Sequence, residues 1–278
     1  MTGRVLANKM GPARIFGLWL PLMVIALWAL IAISNSLLGL SPDHIELTKI
    51  LAPPSADAIF GADDLGRSMA ERVLAGAQTS FIVACWVVLI STILGTLIGT
   101  LSGFLGGKWD LVVVRIIDIF LAFPGILLAI ALAGILGPGI ENVVIALSIV
   151  GWVGFARLSR AQVLSLKHRE HVQAAIALGA GTGRIVFRHL LPLVMAPLIV
   201  EASFGVAGIV IAEAGLSFLG LGVQPPDASW GSMIRDGARY LLVAPHMVFV
   251  PGVALMLVVL SVNLLGDRLR DKLDVRKR

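Results

Sequence analysis

The sequence predicts an all-α integral membrane protein with six transmembrane helices and a short additional helix between the fourth and fifth. Three observations carry this. The 278-residue chain is 58% hydrophobic and 14% charged, and its mean hydropathy is +0.94, a balance foreign to ordinary soluble domains. Its apolar residues gather in runs close to the ~20 residues a helix needs to cross a bilayer. The alternation of apolar and polar positions that marks a membrane barrel is absent.

The runs are 16–33, 81–105, 112–136, 142–158, 190–212 and 248–265, the fourth being the least apolar. The first is longer than the core of a cleaved signal peptide and reads as a retained span. These runs divide the chain into a tail 1–15, a first span 16–34, an outer segment 35–77, a five-helix core 78–266 containing a loop 157–189, and a tail 267–278. With both termini in the cytoplasm, only five of the 22 Lys and Arg fall outside: Lys49, Arg67, Arg72, Arg235 and Arg239. That asymmetry fixes the expected orientation and accounts for the basic pI without nucleic acid.

In the outer segment, Asp63 and Asp64 are expected to cap an amphipathic helix carrying Leu65, Met69, Val73 and Leu74 along the membrane face. The later outer stretch 212–240 is expected to fold partly back toward the bundle. Gly95, Gly99 and Gly103 lie every four residues, so another helix can approach one face of the second span, either in this chain or in a second chain. Asp118 and Glu201 lie deepest in apolar sequence. Asp118 is three residues from Arg115, which permits an ion pair, and Glu201 is a candidate for lining a solute path.

Catalytic equipment is lacking. HExxH and GxSxG do not occur, the stretch SGFLGGKW at 102–109 fails as a phosphate loop at both ends, and GAGTG at 179–183 follows no strand. His168 and His171 lack the further donors a tetrahedral metal site needs, so no metal is expected. The lone Cys85, inside the second span, reads as core.

One stretch remains, HVQAAIALGAGTGRIVFRHLLP at 171–192. Val172, Ala175, Ile176 and Gly179 share one helical face of small and medium side chains, too slight for strong lipid burial and suited to a shallow groove on a protein partner. Gly179 and Gly181 can end this helix in the left-handed conformation, and Thr182 can cap the succeeding turn.

This stretch resembles the cytoplasmic loop of bacterial ABC importer permeases through Gln173-Ala174-Ala175, Gly179 and Leu190-Leu191-Pro192, with Gln173 where the family usually has Glu. GADDLGR at 61–67, DIFLAFP at 118–124, AEAGLSFLGLGVQPP at 212–226, WGSMIRDG at 230–237 and NLLGDRLRDKLD at 263–274 further resemble the C-type permease of dipeptide and oligopeptide importers, a type nickel importers share. The resemblance implies a second homologous (B-type) permease chain, two ATPase subunits that bind ATP and Mg, and an extracytoplasmic solute-binding protein, with no cofactor in this chain. It implies a coupling helix at Glu170, Val172, Gln173, Ala174, Ala175, Ile176, Gly179 and Arg184, with Gln173→Glu mild because it restores the family residue. Asp63, Asp64, Arg67, Trp230 and Arg235 are candidates to meet the binding protein, or to brace the chain's own outer loops. The rival class is an ion-coupled secondary transporter using Asp118 and Glu201.

Orientation is tested by cysteine labelling. In a Cys85→Ser background, Gly181→Cys is expected to resist an impermeant thiol reagent in intact spheroplasts and to react after lysis; labelling of intact cells would reverse the topology.

Overall fold

The computed structural model describes residues 12–34, 39–56 and 58–273, with side chains from Trp19 onward. Most of tail 1–15 and the residues after Leu273, with Arg4, Lys9, Arg276, Lys277 and Arg278, lie outside the described residues. Among the described residues there is no strand, only helix and loop. The helices are α1 (Pro12–Ser34), a single 3-10 turn (Leu47–Lys49), α2 (Met69–Leu105), α3 (Gly107–Leu121), α4 (Gly125–Leu136), α5 (Ile140–Leu166), α6 (Glu170–Ala177), α7 (Thr182–Arg184), a π-helix (Ile185–Leu190), α8 (Leu191–Phe218), α9 (Trp230–Ala238) and α10 (His246–Leu273). Four are long and apolar enough to cross a membrane: α2, α5, the continuous helix Thr182–Phe218, and α10. The pair α3 and α4 makes a fifth if counted as one span, and Trp19–Ser34 is a shorter apolar helix.

The expected third span is therefore not one straight helix. Its two halves meet at 88°, with Pro124 as the N-cap of α4. Proline disfavours helical backbone at the residue before it and has no N–H of its own to continue the ladder, so α3 stops at Leu121.

The expected surface helix after Asp63 is also corrected. Asp63 is buried, and its carboxylate accepts from Leu65 N and Arg67 N at 2.9 Å each, which closes a turn. The helix begins at Met69, after Ser68, whose hydroxyl accepts from Glu71 N. It runs on without a break into the second span, so 69–77 belongs to α2.

The α2–α5 pair is the backbone of the bundle. A Cβ on Gly95 would fall on the Trp152 carbonyl, one on Gly99 on the Ala156 carbonyl and the Ser159 hydroxyl, and one on Gly103 at 2.9 Å from the Arg160 carbonyl. From the other side, Gly151 lies against Ser91, and Ser159 donates to Gly95 O at 3.3 Å. The glycine stripe is thus consumed within the chain, where it lets two backbones touch.

At one end of the bundle, α9 and its approach are fastened to α2. Trp230 Nε1 donates to Val73 O at 3.0 Å, Thr79 Oγ1 to Ala228 O at 2.9 Å, and Gly76 leaves room for the Trp230 ring. Trp28 joins α1 to the same place, donating to Ala77 O at 2.9 Å and standing edge-on to Phe81. The outward face of α1, with Trp19, Met23, Leu27 and Leu30, stays exposed, as expected of a surface that meets lipid.

Gly99→Ala is expected to destabilise the purified protein by about 1–3 kcal/mol through overpacking, read as a lower melting temperature in detergent. Gly134→Ala, where an added methyl meets nothing within 4 Å, is expected to be neutral.

Candidate functional site

The end of the bundle opposite α9 carries the short segment that composition alone does not explain. Helix α5 ends at Leu166, and α6 starts at Glu170 after three intervening residues, so its position needs anchors. Val172 is the principal one. It is fully buried, in a cluster with Val163, Leu166, Ile185, Leu190, Val194 and Leu198. Of the expected strip, Val172 is thus turned into the chain itself and unavailable to a partner, and Ala175 is half-buried, while Ile176 and Gly179 stay exposed. On a helix the opposite face carries Glu170, Ala174, Ala177 and Leu178, all exposed, Leu178 at 87%. Sequence reasoning passed over Leu178; a leucine next to the terminating glycine was the available signal.

Gln173 is the second anchor. Its Nε2 donates to Lys167 O at 2.8 Å, satisfying one of the carbonyls left over at the end of α5. A glutamate has no proton to give there when ionised, which runs against the expectation that Gln173→Glu is mild.

Gly179 ends α6 as anticipated, with φ +79°. Ala180 N reaches Ala175 O at 3.0 Å and Gly179 N reaches Ile176 O at 2.9 Å, the paired bonds of a Schellman cap. Gly181, the other glycine expected there, has φ −67° and precedes α7. Thr182, whose side chain was expected to cap, is instead the first residue of that helix. Arg184 is exposed on α7.

From Thr182 the chain runs as one helix of 37 residues to Phe218, with a π-wound stretch at Ile185–Leu190. Pro192 supplies no N–H to the preceding turn, and the wider winding directly before it is a familiar accommodation. The result joins α6, through the four residues 178–181, to a helix that spans the bundle.

A bidentate ion pair that the sequence did not disclose stiffens this end. Arg160 of α5 donates through Nε at 2.6 Å and Nη2 at 2.7 Å to the Asp110 carboxylate in the first turn of α3. Ser102 of α2 donates to the same group at 2.6 Å, and Lys167 Nζ to Gly103 O at 3.1 Å. Three helix ends are locked by one partly buried, charge-assisted node, stronger than an exposed pair.

The other candidates are scattered. Glu201 is exposed on α8 at a cavity of about 530 Å³ shared with Leu158, Phe204 and Arg270, and makes no hydrogen bond or ion pair among the described residues. Asp118 is exposed on α3, 4.0 Å from Arg115, and does not line that cavity. At the far end, Asp63, Arg67 and Trp230 are buried; Arg67 Nε donates to Asp63 at 2.7 Å, and Arg72 approaches the same carboxylate. They brace the loops. Asp64 and Arg235 stay partly exposed, and burial, with the Asp63 charge beside it, raises the Asp64 pKa. Among the described residues, no three of His, Cys, Asp or Glu are grouped to hold a metal.

Residues 95–278 match the family of binding-protein-dependent transport system inner membrane components. The chain is 43% identical to the dipeptide transport system permease protein DppC of Alkalihalophilus pseudofirmus, over 92% of this chain and 83% of that one. It is 45% identical to the glutathione transport system permease protein GsiD of Escherichia coli, over 80% and 73%. A chain from inward-facing structures of the MetNI methionine ABC transporter shares the fold, with a TM-score of 0.56 at 20% identity, covering 74% of this chain and 97% of that one. The chain belongs to the family of binding-protein-dependent transport system inner membrane components, and is an ABC transporter permease with several membrane-crossing helices.

Proposed function

We propose that this chain is one of two permease subunits of an ATP-driven importer of short peptides, with α6 docked in a groove on a cytoplasmic ATPase. The observation that carries the reading is the construction of α6. Val172 and Gln173 fasten it to its own chain, while Ala174, Ala177 and Leu178 are left outward and Gly179 delivers it to the helix Thr182–Phe218. A partner that pulls on α6 thereby moves a packed rod, the kind of element through which a local displacement is transmitted. ATP and Mg are bound by the two ATPases; this chain supplies the path and the lever.

On this reading the chain crosses the membrane six times, counting α1 as one span and the bent α3–α4 pair as another, with both termini and α6 in the cytoplasm. A homologous permease completes the pathway, in which Glu201 lines the inner cavity. A solute-binding protein meets the α9 end, where Asp64 and Arg235 offer the accessible charge. Relatives named for dipeptide and glutathione transport favour peptides over nickel. The ion-coupled alternative is left with Glu201, because Asp118 sits elsewhere beside Arg115.

Ala174→Glu and Leu178→Glu are expected to leave the chain inserted but to abolish co-purification of the ATPases and uptake of labelled dialanine. Gly179→Val, penalised by about 1 kcal/mol or more for a side chain at positive φ, is expected to do the same by misdirecting α6. Normal uptake by all three variants would reject the reading.

Gln173→Glu is expected to lose a hydrogen bond worth roughly 0.5–1.5 kcal/mol and to set a carboxylate beside the Lys167 carbonyl. ATPase retention on purification and peptide uptake should both fall. Wild-type values for both would show that the bond to α5 does not position α6.

A further inference from the structure

Of the four buried charged side chains among the described residues, Asp63, Arg67 and Arg72 form one mutually paired group. Glu213 stands apart. It is 1% exposed on α8 and has no cation among its partners, only hydroxyls: Ser80 of α2 donates to Oε2 at 3.0 Å and Ser217 to Oε1 at 2.7 Å, while the hydroxyl of Ser229, the N-cap of α9, faces the same carboxyl. A carboxyl in such a place is costly unless its hydrogen bonds are kept, so it holds α2, α8 and α9 in one relative arrangement.

Two further contacts lie along the same seam. Gly231 of α9 sits directly on the Ala214 backbone, with no room for a Cβ, and Arg235 Nη1 donates to Ser217 O at 3.5 Å. The end of the helix that starts beside α6 is therefore the floor on which α9 rests.

We propose that Glu213 is a positioning residue that clamps α2 and α9 to the far end of this helix, so that movement entering at α6 is delivered to α9, the segment facing the solute-binding protein. The inference rests on reading the chain as an ATPase-driven permease. It adds that communication between ATPase and binding protein runs through one carboxyl and its serine partners.

The test uses the full complex in proteoliposomes, with both permease chains, the ATPases and their binding protein loaded with dialanine, and compares stimulated with basal ATP hydrolysis. Glu213→Ala is expected to lower that ratio by roughly fivefold or more, the low end of ordinary coupling between sites, with the ATPases still co-purifying. Ser80→Ala, which removes only the α2 arm, should lower it less, and Glu213→Gln, which keeps one acceptor and one donor, should restore most of it. If Glu213→Ala does not assemble, Ser80→Ala carries the test alone. A wild-type ratio in Ser80→Ala and in any Glu213→Ala complex that assembles would overturn the proposal. So would equal losses of basal and stimulated hydrolysis, which mark a purely structural defect. ATPases that fail to join even the unmutated chain would overturn the permease reading itself.

Discussion

The structure depends on the contact of two helix backbones. Where α2 and α5 cross, Gly95, Gly99 and Gly103 on one side meet the Trp152, Ala156 and Arg160 carbonyls on the other. Lipid offers little hydrophobic reward for bringing helices together, so close packing and short polar contacts must supply it. With that pair fixed, the rest has defined places. The start of α2 carries the turn at Asp63 and receives Trp28, Trp230 and the α9 approach, and the far end of α5 carries α6. Helix α8 packs across both, so the same pair supports both ends of the proposed lever.

What distinguishes this scaffold from a mere bundle is how its two ends are finished. At the α6 end, the Arg160–Asp110 pair, the Lys167 and Gln173 bonds and the Val172 cluster fix where α6 leaves α5, yet the outward face of α6 is left bare. At the α9 end Asp63, Arg67, Arg72 and Glu213 are turned inward, while Asp64 and Arg235 stay partly accessible. Anchors of this kind make rigid-body motion possible, because a segment tied at several points cannot absorb a pull by bending. The π-wound stretch before Pro192 is the one place along the Thr182–Phe218 helix where the winding changes.

Much of this was legible in the sequence, unevenly. The membrane class followed from composition, the close approach of α2 from its glycine spacing, and the left-handed end of α6 from Gly179, since each of those signals is local. The run 142–158 looked weakest as a span because Asn142, Ser148, Gly151, Gly154 and Arg157 lower its hydropathy, and α5, to which it belongs, is the most buried of the four long apolar helices. Asp63 was mistaken for a helix cap because capping a turn and capping a helix require the same side chain; only burial with Arg67 and Arg72 separates them. On α6 the limit is of a similar kind. Periodicity identifies which residues share a face but not which of them the parent chain covers, and of the strip Val172 alone is buried. Glu213 escaped notice because the partners that bring other helices to it, Ser80 of α2 and Ser229 before α9, are distant in the sequence.

The central claim is that the outward face of α6 meets an ATPase while the inward face holds α6 to its own chain. A photo-cross-linking amino acid placed singly at positions 178, 174 and 172 of the assembled transporter tests it most directly. Cross-links to the ATPase are expected from 178 and 174, and only within the permease from 172. Cross-linking to the ATPase from 172, or none from 178, would contradict it.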